Sequence, residues 1–230
     1  MYSSMQAICF DFDGTLVDSE VFHADNWSTF LESWNIDFSK SAFLTDYAGV
    51  TWDKVAIDLK RRFTIELSVE HMLEQMESIT EQALLVGNIP AKSGVDGLLR
   101  TLVGKVPLAV VTGAPRMYVE EILTRHGWLE LFDHVFSGDD VANNKPAPDI
   151  YQLACETLGF APHEVLAIED SLTGVTSSVA AGLKTVLVNE VELEHNQPLD
   201  YSFYSMDHAY SAVMALVMLS AESSVSKAMV

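Results

Sequence analysis

Ala7-Ile8-Cys9-Phe10-Asp11-Phe12-Asp13-Gly14-Thr15 carries a short apolar run straight into two carboxylates and a glycine. The run is too short for a helix and does not alternate, so it suits a strand buried on both faces. In extended chain, residues i and i+2 point the same way. Asp11 and Asp13 are therefore expected on one side, with Phe12 on the other. Gly14 lets the chain turn. Carboxylates this close repel each other unless a cation or a proton offsets them.

Moving outward, Leu108–Val111, Val165–Ile168 and Thr185–Val188 read as further buried parallel strands, and His134–Phe136 as a weaker one. Segments with helical spacing lie between them. Val119, Ile122, Leu123 and His126 share a face before Gly127, and Leu172, Val175 and Val179 share one before Gly182. Pro146 and Pro148 precede another helix that ends at Gly159. Strands alternating with helices predict an α/β fold with a doubly wound, Rossmann-like parallel sheet.

Residues 19–89 contain no convincing strand. Trp27, Phe30, Leu31 and Trp34 have helical spacing, as do Val69, Met72, Leu73, Met76 and Ile79, and Val55, Leu59 and Arg62 suggest a third helix. The expected organisation is an α/β core over 1–18 and 90–230, with a helical cap domain inserted over 19–89 at the carboxyl end of the first strand. Ligands of such sheets bind at that end.

The 230 residues include 13 basic and 33 acidic ones, for a net charge of −20. So acidic a chain is not expected to bind nucleic acid. A site for an anion must bring its own positive charge, which a divalent cation would supply. Met1–Gln6 lacks the basic and apolar regions of a signal peptide, and Ala212–Leu219 is too short to span a bilayer. Cys9 and Cys155 stand in no metal-spaced cluster. A cytoplasmic protein with no membrane partner, a monomer or weak dimer, is expected.

Three more strand ends carry chemistry. Thr112-Gly113 offers a hydroxyl, backbone N–H groups and room for close approach to a phosphate oxygen. Lys145, in Asn143-Asn144-Lys145-Pro146-Ala147-Pro148-Asp149, precedes a helix start and can neutralise both a phosphate and a carboxylate. Glu169-Asp170-Ser171 places an acidic pair after a buried strand. Mg²⁺ takes hard oxygen ligands and needs only one or two carboxylates. Each feature taken singly also fits a turn, a surface lysine or an N-cap. Together they supply a nucleophile, an acid/base, a donor, a cation and metal ligands.

This set resembles the haloacid dehalogenase superfamily of phosphohydrolases. Asp11-Phe12-Asp13-Gly14-Thr15 is similar to its first motif, Thr112 to its second, Lys145-Pro146 with Pro148-Asp149 to its third, and Glu169-Asp170-Ser171 to its fourth. Ser137-Gly138-Asp139-Asp140, and Gly174-Val175 through Ala181-Gly182, resemble the branch that holds phosphoglycolate phosphatase and β-phosphoglucomutase. The resemblance implies Asp11 as nucleophile, Asp13 as acid/base, and Thr112, Gly113, Lys145 and Asn144 around the phosphate. Mg²⁺ would sit on Asp11, Asp13 and Asp170, with Glu169 in support. In the cap, His23 and the loop Ala48-Gly49-Val50-Thr51-Trp52 resemble substrate-contacting segments. Trp52 stands where β-phosphoglucomutases carry an arginine for the second phosphate.

The implied activity is Mg²⁺-dependent hydrolysis of a small phosphorylated metabolite, a sugar phosphate or similar, through an aspartyl-phosphate. The alternatives are a phosphohexomutase on the same scaffold and a non-catalytic phosphometabolite sensor. A signalling receiver domain combines similar residues, but it has no role for Asp13 or for the helical insert.

Overall fold

The computed structural model describes residues 5–47, 50, 52–189, 193 and 199–227. The chain folds into two compact units, 1–17 with 91–230, and 18–90.

In chain order the elements are β1 (Ala7–Phe10), α1 (Ser19–Ser33), α2 (Lys40–Tyr47), α3 (Trp52–Phe63), α4 (Val69–Val86), α5 (Val95–Leu102), β2 (Leu108–Val111), α6 (Arg116–His126), β3 (His134–Phe136), α7 (Asp149–Leu158), β4 (Val165–Glu169), α8 (Leu172–Ala180), β5 (Lys184–Val188), β6 (Tyr201–Phe203) and α9 (Met206–Lys227). The six strands form one sheet in the order β3-β2-β1-β4-β5-β6, and every described pairing is parallel. This is the doubly wound α/β architecture expected from the strand–helix alternation.

Parallel strands covered on both faces must be apolar at every position, and β1, β2 and β4 are buried throughout. One face presents Ala7, Cys9, Ala109, Val111, Val165 and Ala167, which pack in one cluster with Ile150, Tyr151 and Ala154 of α7. Most of these strand side chains are small, so α7 lies close to the sheet. The alternate residues Ile8, Phe10, Leu108, Val110, Leu166 and Ile168 are equally buried. Strand order reverses at β1 and β4. The chain moves from β1 to β2 on one side and later enters β4 on the other. That is the crevice where such sheets bind ligands.

α8 departs from its expected face. Its buried residues are Gly174, Val175, Ser177 and Ser178, while Leu172 and Val179 are only half-buried. At Gly174 the neighbour is the Glu169 carboxylate. A Cβ on Gly174 would fall 1.9 Å from Glu169 Oε2. Close packing here selects for small size over apolarity.

The helical unit has its own core of Trp27, Phe30, Leu31, Phe43, Tyr47, Val55, Leu59, Met72 and Met76. Trp27 anchors it, stacked on Phe43 at 6.2 Å and edge-on to Phe30 at 5.6 Å. Ser68 caps α4 by accepting from the His71 N–H.

Candidate active site

The site is assembled from the carboxyl ends of β1, β2 and β4. Asp11 directly follows β1, and its N–H still donates to Ile168 O of β4 at 2.9 Å. The ladder thus fixes its backbone. Its carboxylate is mostly buried. Phe12 is wholly buried, and Gly14 turns the chain at φ +78°. Glycine is needed there twice over, since a Cβ would also fall 2.0 Å from Asp170 Oδ2.

Lys145 joins β1 to β4. Its Nζ donates to Asp11 Oδ1 at 2.7 Å, to Glu169 Oε1 at 2.7 Å and to Val111 O at 2.8 Å. These three acceptors match the three donors of an ammonium. The Tyr151 hydroxyl donates to the same Glu169 Oε1 at 2.5 Å, and Lys145 Nζ lies 5.1 Å from the centre of the Tyr151 ring. Burial alone would pull Lys145 down, but Asp11 and then Glu169 outweigh it and hold the ammonium above its ordinary range.

The neighbouring acids are raised as well, but for them that disfavours the charged form. Burial, then Asp11, pushes Glu169 up to about 7. Burial, then Asp11 and Glu169, raises Asp170 well above the usual carboxylate range, with Lys145 opposing. One lysine does not satisfy three carboxylates. Asp11, Glu169 and Asp170 each offer one oxygen, all within 4.8 Å of one another. Glu169 Oε2 is buried without a hydrogen-bond partner among the described residues. An all-oxygen, over-charged cluster with an orphaned acceptor fits a hard divalent cation.

Thr112 and Gly113 extend from β2. The Thr112 N–H donates to Phe136 O at 2.9 Å, and its Oγ1 accepts from Ala114 N–H at 3.1 Å. That leaves the hydroxyl proton for a further acceptor. Asn144 stands next to Lys145, and its side chain approaches Gly113 and Gly138. Gly138 is itself pressed against Gly113, with a would-be Cβ 2.3 Å from Gly113 O.

Asp13 adds to the negative charge felt by Asp170. Its Oδ1 accepts from the Tyr118 hydroxyl at 3.3 Å. Burial, then Asp13, raises the Tyr118 phenol well above its usual range and keeps it a neutral donor. The structure therefore brings Asp11, Lys145, Glu169 and Asp170 together and sets the Tyr118 hydroxyl against Asp13.

Of the residues expected to meet substrate in the helical unit, Ala48, Gly49 and Thr51 lie outside the described residues, and Val50 is exposed. Trp52 opens α3, with its ring 6.4 Å from Trp27 and 5.3 Å from His23. Burial, opposed by Glu20, lowers His23 to about 4. At neutral pH it is uncharged and supplies no cation for a phosphate.

Sequence reading missed Tyr118 and Tyr151, and took Gly174 only as part of the stretch that resembles the family branch. Tyr151 carries a faint signal, a polar-tipped ring in the first turn of a helix after Lys145. Tyr118 carries none that spacing or composition reveals.

Residues 8–188 match the haloacid dehalogenase-like hydrolase family. The chain belongs to this family. It is 30% identical over 178 residues to validoxylamine A 7'-phosphate phosphatase of Streptomyces hygroscopicus subsp. limoneus, covering 76% of this chain and 81% of the relative. It is 27% identical over 186 residues to a fructose-1-phosphate phosphatase of Escherichia coli, covering 81% and 97%. Among solved structures, CbbY from Rhodobacter sphaeroides in complex with phosphate aligns with a TM-score of 0.72 at 26% identity, over 89% of this chain and 96% of that one. The two curated relatives are phosphatases of phosphorylated metabolites, and phosphoric monoester hydrolysis is the enzyme class this membership supports. No helix among the described residues is long and apolar enough to cross a membrane.

Proposed function

We propose that this haloacid dehalogenase-like hydrolase is a Mg²⁺-dependent phosphatase of a small phosphorylated metabolite, a sugar phosphate or similar, working through an aspartyl-phosphate on Asp11. The observation that carries the reading is Lys145, held 2.7 Å from both Asp11 and Glu169 at the crevice between β1 and β4. An ammonium there meets the attacking carboxylate and remains to meet the phosphate it attacks. The Asp11 and Asp170 side chains and the Asp13 carbonyl would hold Mg²⁺, with Glu169 in support. When bound, the ion offsets the repulsion between a carboxylate and a phosphate.

In the first step an Asp11 oxygen bonds to phosphorus while the bond to the leaving oxygen breaks. The leaving oxygen takes the electron pair and then the proton that Asp13 carries. In the second step Asp13, now a carboxylate, takes a proton from the water that attacks phosphorus, and the Asp11 carboxylate is released. The Thr112 hydroxyl, Gly113 N–H, Asn144 and Lys145 donate to the non-bridging oxygens, over which charge is spread. The helical unit, inserted directly after the Asp11–Val17 turn, is assigned the choice of leaving group, with His23 and residues 48–52 as the positions in question. Trp52, an indole where a mutase of this branch carries a cation, favours release of phosphate over its return to a sugar. A cytoplasmic setting fits the free, buried thiols of Cys9 and Cys155.

A panel of phosphorylated metabolites assayed with Mg²⁺, before and after chelation, tests the reading. Phosphate release that stops on chelation, returns with Mg²⁺ and vanishes in Asp11→Asn with no phosphoenzyme is the expected result. Near-normal turnover by Asp11→Asn would remove the nucleophile assignment.

A further inference from the structure

The register of β4 on β5 ends with Glu169 opposite Leu187. Asp170 comes next, and Ser171 already caps α8 by accepting from the Gly174 N–H at 3.1 Å. Asp170 is thus the single residue between strand and helix, and its carbonyl lies beyond the last pair of the ladder. A side chain takes over there. Asn189, the residue after β5, donates its amide to Asp170 O at 2.7 Å. Asn189 is anchored in turn, because its own N–H donates to Phe203 O of β6 at 2.9 Å. The Asp170 carboxylate is confined from the other side. The Thr15 hydroxyl stands 3.4 Å from Oδ1, and Oδ2 is pressed on Gly14, where a Cβ would fall 2.0 Å away.

We propose, resting on the Mg²⁺ reading above, that Asn189 is a positioning residue that sets the Asp170 carboxylate for the ion. The β1 turn bounds the carboxylate, while the end of β5 holds the backbone that carries it. A planar peptide moves as one body, so a bond to its oxygen fixes the rotation about the Asp170 Cα–C bond. That rotation decides where the side chain points. Mg²⁺ demands near-ideal octahedral geometry at short range and tolerates little displacement of a ligand, whereas Ca²⁺ accepts a looser and more variable shell. Loss of a residue that orients a metal ligand typically costs about 10–100-fold in affinity. A misplaced Asp170 should therefore cost Mg²⁺ more than Ca²⁺.

Asn189→Leu keeps the size of the side chain and removes its donor. Asn189→Ser, whose hydroxyl stops one bond short of the amide, is run beside it and serves if the leucine variant does not fold, as circular dichroism will show. Isothermal titration calorimetry of the metal-free full chain, with Mg²⁺ and separately with Ca²⁺, gives the two dissociation constants. The expected result is a rise of about tenfold or more in the Kd for Mg²⁺ and a smaller rise for Ca²⁺. Equal rises for both ions, or no rise for Mg²⁺, would overturn the assignment, because a residue that only joins β5 to β6 does not distinguish ions. If the wild type binds no Mg²⁺, the Mg²⁺ reading fails and takes this inference with it. If the wild type binds Mg²⁺ and the ratio of the two constants holds in the variants, only the role of Asn189 is lost.

Discussion

Lys145 in the α/β unit and Arg62 in the helical unit each meet a carboxylate at 2.7 Å, yet their surroundings are opposite. The Lys145 side chain is 9% exposed, against Asp11 at 11% and Glu169 at 0%. Arg62 is 44% exposed, against Asp46 at 37%. The guanidinium also lies over Phe38 at 4.8 Å and Phe63 at 5.4 Å, resting its stem on the rim of the helical core. In water, high dielectric, salt and side-chain entropy reduce an ion pair to a small effect. In the interior the same contact weighs on its buried neighbours, because no solvent is there to compensate, though burial and Asp11 act more strongly on Glu169 and Asp170. Distance alone therefore does not rank these two pairs. Burial and the number of charges competing for the cation do.

The sharpest way to break the contrast is Lys145→Met, which removes the buried cation at nearly constant volume. Asp11 and Glu169 then face each other without it. Turnover on the panel substrate is expected to fall by at least about 10³-fold, with a loss of about 3–5 kcal/mol in denaturant unfolding of the metal-free protein. Retained activity would show that the ammonium does not serve the phosphate.

The second effect is smaller and depends on pH. Glu169 stands at about 7 against an ordinary 4.5, and Asp170 is raised in the same direction. A raised carboxyl binds its proton more tightly in the folded chain. Its contribution to stability is therefore complete below pH 4.5 and is lost as pH climbs through about 7. The thermal midpoint of the metal-free protein should fall over that window. Mg²⁺, taking the place of the proton, should raise the midpoint more at about pH 8 than at about pH 5. A Mg²⁺ gain that is the same at both would count against a cation on these carboxylates.

The smallest effect belongs to the surface pair. Arg62→Ala should leave turnover unchanged and lower the thermal midpoint by no more than about 2 °C. A drop as large as that of Lys145→Met would mean that exposure is a poor guide to the weight of an ion pair in this protein.

Much of the α/β unit was legible because two-sided burial writes itself into sequence. β1 and β2 match their apolar runs to the residue, and β4 and β5 each differ from theirs by one residue at an end. β6 escaped notice because Tyr201 and Ser202 are exposed and Phe203 only half-buried, so this three-residue edge strand lacks the apolar run. α2, α5 and α9 also went unread. The small face of α8 was misjudged, because apolar spacing says nothing of a carboxylate that needs room.

By itself the sequence determined the local part of the site: an aspartate at the end of β1, another two residues on, a hydroxyl after β2 and an acidic pair at β4. These follow from strand periodicity and residue type, which act over a few residues. Only the tertiary structure decided who partners whom. Lys145 reaches Asp11 across 134 positions and Glu169 across 24, and Tyr118 reaches Asp13 across 105. Those meetings depend on strand order, on the register of β1 against β4 and on how closely α6 and α7 pack. Those terms are sums over the whole core, and no short stretch of sequence contains them.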